Sequence, residues 1–64
     1  MRKVWDVKEC CYDEYDEEWF NNVNMEDAEE FELWGEKLKV SYKDGKELYY
    51  HNVFGTWGNP VEFV

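Results

Sequence analysis

The sequence predicts a small α+β domain that is mostly β. Its centre is an antiparallel sheet, a meander over about residues 30–52 plus an N-terminal strand, with one or two short helices. Three observations lead there. The chain has 64 residues, and a domain of that size buries only about 60% of its unfolded surface, so residues 1–64 make a single domain. Two β-favouring runs flank Lys43-Asp44-Gly45-Lys46, a hairpin signature. Aromatic residues make up 20% of the chain, and rings that bury about 150–250 Å² each supply a core to such a short chain. An SH3-like partial barrel is an alternative form of the same sheet.

Taken in order, Val4-Trp5-Asp6-Val7-Lys8 is the first strand candidate, and Glu17 to Val23 suits either a strand or a helix. Asn24 is placed to cap a short helix over Met25-Glu26-Asp27-Ala28-Glu29, with acids in its first turn where the helix dipole favours them. Glu30-Phe31-Glu32-Leu33-Trp34 alternates acidic with apolar residues and meets Gly35-Glu36, a tight turn into the next strand.

The hairpin of Leu38–Tyr42 and Glu47–His51 has a readable register. A two-residue loop mixes its faces. A three-residue loop, with Gly45 left-handed in a G1 bulge, pairs Tyr42 with Lys46, Val40 with Leu48 and Leu38 with Tyr50. That register gathers Leu38, Val40, Tyr42, Leu48 and Tyr50 on one face, and a slip of one residue would scatter them. Gly55 to Pro60 reads as a loop, and Val61-Glu62-Phe63-Val64 as a last strand candidate.

Charge is the strongest functional signal. The net charge is −9. Twelve acidic side chains lie between Glu9 and Glu36 with no Lys or Arg among them, and all seven basic residues fall outside that window. This segregation predicts a dipolar domain, with the acidic segment on one side. Direct binding of nucleic acid is excluded as an expectation, because phosphate recognition needs clustered cations. An anionic membrane surface is excluded on the same ground.

No signal peptide or membrane-spanning run is readable, so the expected location is the cytoplasm, the host's if the chain is phage-encoded. Thiols there stay reduced. Adjacent Cys10 and Cys11 are expected free, one pointing inward and one outward.

No catalytic residue, metal site or cofactor is expected. The single His51 reads as structural or exposed, and no nucleophile elbow or phosphate-binding glycine loop occurs. Asp13-Glu14-Tyr15-Asp16-Glu17-Glu18 lacks the order of a calcium loop and suits weak cation binding at most. The expected protein is not an enzyme.

A solvated face normally mixes both signs of charge, so twelve uncompensated carboxylates point to a basic partner. The candidate partner-binding surface is Asp13, Glu14, Asp16, Glu17, Glu18, Glu26, Asp27, Glu29, Glu30 and Glu32, with Tyr15 and Trp19 as aromatic anchors. Alternate strand residues such as Glu30 and Glu32 stand roughly 6.8 Å apart, near the spacing of phosphates along a nucleic-acid strand. The expectation is a small acidic inhibitor that occludes a basic nucleic-acid-binding nuclease or effector by mimicry, in the manner of an anti-CRISPR or antirestriction protein. The alternatives are an acidic antitoxin or immunity protein and a self-associating structural or regulatory subunit. A monomer or a homodimer fits these readings.

Overall fold

Val4 starts the core. It is fully buried on the first strand, β1 (Arg2–Asp6), two residues N-terminal of the expected start and end. The shift has a local cause. The Asp6 carboxylate accepts from the backbone N–H groups of Lys8 (2.9 Å) and Glu9 (3.0 Å), and the Cys10 N–H donates to the Asp6 carbonyl (2.8 Å). This side-chain turn ends the strand and reverses the chain into β2 (Cys11–Tyr15), a strand the sequence reading did not place.

The computed structural model describes residues 1–62. A short 3-10 helix, η1 (Glu17–Phe20), follows β2. Then come β3 (Ala28–Trp34), β4 (Lys37–Tyr42), β5 (Glu47–Val53), β6 (Thr56–Trp57) and β7 (Val61–Glu62). Strands take 54% of the chain, in one sheet that curls into a half-barrel. The mostly β expectation holds, as does the partial-barrel form. Neighbours run β2-β1-β3-β4-β5-β6, with β7 also beside β5. Every pair is antiparallel except β1 with β3, which is parallel.

The meander forms in the expected register. Leu38 pairs with Tyr50 and Val40 with Leu48, and the Tyr42 N–H donates to the Lys46 carbonyl at 2.8 Å. Gly45 has a φ of +91°, the left-handed conformation the bulged loop needs. Leu38, Val40, Tyr42 and Tyr50 are buried, and Leu48 is partly so. Gly35, at φ +65°, makes the tight turn into β4.

The helix expected over Met25–Glu29 is not formed. A single turn, Ala28 N–H to Met25 carbonyl at 3.4 Å, precedes β3. The run offers only Met25 and Ala28 as an apolar stripe, too little for an amphipathic helix, whereas Ala28 and Phe31 both reach the core from a strand with a register shift between Ala28 and Glu30. The loop expected over Gly55–Pro60 contains β6, and β7 covers the described part of the last strand candidate. Phe63 and Val64 lie outside the described residues.

Helix η1 fills the hollow of the half-barrel. Phe20 is buried against Phe31, with centroids 4.7 Å apart, and Trp19 packs edge-on against Phe20 (4.8 Å) and Trp57 (5.1 Å). Among the described residues no Asp, Glu, Lys, Arg or His side chain is buried in the core, and no helix is long and apolar enough to cross a membrane.

Candidate functional site

The pleat divides the carboxylates between the two faces of the sheet. Val4, Phe31, Leu38 and Tyr50 point inward, so their strand neighbours point outward. Across β2, β1, β3, β4 and β5 one outward row reads Tyr12, Trp5, Glu32, Lys39, Tyr49. Glu14 and Lys3 are cross-strand partners beside it.

Parallel pairing of β1 with β3 covers only Trp5–Glu32 and Asp6–Leu33. N-terminal of Trp5 and Glu32 the two strands are no longer paired, and the gap is bridged from within. The Arg2 guanidinium donates to the Ala28 carbonyl (Nη2 to O, 3.2 Å) and lies 5.1 Å from the centre of the Phe31 ring. On the outer side the divergence leaves a groove of about 440 Å³, lined by Lys3, Trp5, Tyr12, Glu29, Glu30, Phe31 and Glu32.

Trp5 and Tyr12 form one wall of the groove, edge to face with centroids 4.9 Å apart. Glu29 and Glu30 are exposed at the other wall. Lys3 reaches over Tyr12, its Nζ 5.9 Å from the ring centre. Carboxylates facing aromatic rings across such a space suit an incoming guanidinium or ammonium, which gains ion pairing and cation–π contact together.

Glu32 has a different role from Glu29 and Glu30. Lys39 lies between it and Glu47, with Nζ–O distances of 3.3 and 3.1 Å. The hydrogen bond to Glu47 raises the Lys39 pKa, burial opposes the rise, and Glu32 adds to it. Half of the phosphate-like pair Glu30 and Glu32 is thus met by an internal cation.

The remaining expected site residues fall into two other groups. Asp13 and Tyr15 lie on the inward side of β2, while Glu14 faces out. The Asp16 carboxylate accepts from the Trp19 N–H at 3.2 Å and caps η1, which leaves Glu17 and Glu18 exposed on the turn. Tyr15 and Trp19 stack on each other, 3.8 Å apart and 12° from parallel, and pack against the core. Each ring therefore already has one face covered. Glu26 and Asp27 are exposed in the loop before β3, away from the groove, where Asp27 lines an opening beside Tyr42 and Lys43.

Negative potential around β2 shows in two groups. Burial raises the Tyr15 pKa, followed by Asp13 and Asp6. The exposed Cys11 thiol is raised by desolvation and then by Asp13, Asp6 and Glu9. Both cysteines are free and both are exposed, which corrects the inward–outward expectation. Cys10 turns the chain at φ +55°, so the alternation of an extended strand does not reach it.

Sequence reasoning missed Lys3, Trp5 and Tyr12 as parts of the groove. One signal was present, the turn-forming Asp6, but Cys11–Tyr15 carries no apolar–polar alternation to mark it as a strand. Comparison with protein-family models, curated proteins and solved structures finds no match. The site rests on its own chemistry. Among the described residues no group of three or more His, Cys, Asp or Glu side chains is arranged to hold a metal ion.

Proposed function

We propose that this protein binds a basic nucleic-acid-binding protein and occludes the surface that would hold nucleic acid. Its style is that of a phage or mobile-element counter-defence inhibitor, acting in the host cytoplasm without a catalytic step. The observation that carries the reading is the groove between β1 and β3, where Glu29 and Glu30 face the Trp5–Tyr12 pair. An arginine or lysine that ordinarily contacts phosphate would enter this groove, and Glu14, Glu17 and Glu18 would add long-range steering. The net charge of −9 supports a cationic partner over a second copy of the same chain, since two such copies repel.

The test pairs affinity capture from a candidate host with a double reversal, Glu29→Lys with Glu30→Lys. Both positions are exposed, so circular dichroism is expected to match the original protein. The original chain should retain a basic nucleic-acid-binding protein and displace nucleic acid from it, and the double variant should lose both properties. Retention of the same partner by the variant, or capture of no basic protein, would overturn the reading. Asp16 is a poor choice for this set, because its loss disturbs η1 as well as charge.

A further inference from the structure

A second contact element stands apart from the groove. Residues 53–56 close a two-residue hairpin turn, Val53 pairing with Thr56, in which Phe54 has φ +50° and Gly55 φ +82°. Left-handed backbone at both central positions is the hairpin turn that favours Asn, Asp or Gly at its first place, and a bulky side chain there is an outlier. Phe54 is also fully exposed, at 103% of its reference area. The ring touches no core, so packing does not account for the strain, and Val53 beside it is exposed as well.

The tip is fixed more firmly than its two-residue strand β6 would manage alone. Asn52 Oδ1 accepts from the Gly55 N–H (3.1 Å), and the Thr56 hydroxyl donates to the Val53 carbonyl (2.9 Å). Trp57 is buried, its indole N–H donates to the Trp19 carbonyl (2.9 Å), and its backbone N–H donates to Asn21 Oδ1 (3.0 Å). The Asn21 amide also reaches the carbonyls of Glu18 (3.4 Å) and Gly55 (3.5 Å), tying the tip to η1. The backbone that presents this solvent-facing ring is thus tied to the helix that carries Glu17 and Glu18.

We infer that Phe54 is a preorganised apolar anchor that inserts into a pocket rimmed by Arg or Lys on the basic partner. The inference rests on the proposed function for the partner's charge. A tip with a fixed backbone has less to order on binding, and residues in well-packed, desolvated pockets dominate binding energy. The carboxylates of Glu17 and Glu18 would face the basic rim.

The test places a benzophenone photo-crosslinker at position 54, at the exposed position 3 in the groove, or at the exposed control position 43, in separate chains expressed in the host cell. One basic protein should crosslink at 54 and at 3 but not at 43. Excess original chain should suppress the reaction at 54, and Phe54→Asn should compete about tenfold less well or worse. Phe54→Asn should also melt no lower than the original, because Asn suits the turn. Crosslinking at 3 without 54 would overturn the anchor and leave the proposed function standing, and failure at both positions would overturn both. A crosslinked second copy of this chain, equal competition by Phe54→Asn, or a lower melting temperature for that variant would each overturn the anchor.

Discussion

Tyr42 and Tyr50 meet hydroxyl to hydroxyl inside the half-barrel. Burial raises the Tyr42 pKa far above its usual value, and the bond to Tyr50 adds to the shift. The unfolded chain ionises Tyr42 near pH 10, roughly the reference value, while the folded protein keeps the proton. The folded state therefore binds more protons above about pH 10, and stability must fall as pH rises beyond that point. Lys39, raised first by its hydrogen bond to Glu47, adds a decline of the same sign. Tyr42→Phe should lose about 1 kcal/mol at neutral pH with the hydrogen bond, yet show a shallower alkaline decline. Urea denaturation from neutral to alkaline pH reads both, and identical alkaline slopes would refute the assignment. The sequence put both tyrosines on the buried face through the hairpin register. It did not show that their hydroxyls meet, because register fixes rows and not the reach of ring tips across a curled sheet.

Helix η1 shows how little holds a short element in place. Its four residues, Glu17–Phe20, depend on the Asp16 cap and on Phe20 and Trp19 packing into the hollow. Removing an N-cap carboxylate destabilises by about 0.5–2 kcal/mol. Asp16→Ala should fall in that range by denaturation and weaken the near-ultraviolet dichroism of the Tyr15–Trp19 stack, and an unchanged spectrum would show that packing alone holds the turn. Elements with self-contained signals were legible. The β4–β5 hairpin carries Gly45 and two alternating runs, and its pairing followed from them. Strand β2 was not legible, because Asp13 and Glu14 look like a solvated charge run until β1 lies alongside. The helix at Met25–Glu29 failed for the converse reason: a good cap and an acidic first turn do not outweigh the burial of Ala28 in a strand. The groove was half legible. Glu29, Glu30 and Glu32 stood out, whereas Lys3, Trp5 and Tyr12 join them through a parallel contact between segments more than twenty residues apart.

At the scale of the whole molecule the fold partly undoes the charge segregation of the sequence. Strand β1, with Arg2 and Lys3, lies between acidic β2 and β3, so the expected dipole is blunted on that side. Net repulsion remains, within a body measuring 26 × 24 × 22 Å. The screening length falls from about 30 Å at 0.01 M salt to about 10 Å at 0.1 M, which is from the span of the molecule to less than half of it. The melting temperature should therefore rise with sodium chloride over that range, while affinity for the proposed basic partner should fall. A melting temperature indifferent to salt would mean that local pairs such as Lys39 with Glu32 and Glu47 already balance the repulsion.

The position of β1 between β2 and β3 also decides whether the proposed recognition surface could be transplanted. A peptide of residues 9–36 would carry all twelve carboxylates of the acidic window and the Tyr12 ring, yet lack Lys3, Trp5 and the strand that holds the groove walls apart. Its composition would be retained and its geometry lost. Such a peptide should therefore fail to compete for the proposed basic partner, and competition equal to that of the folded chain would place recognition in a linear epitope.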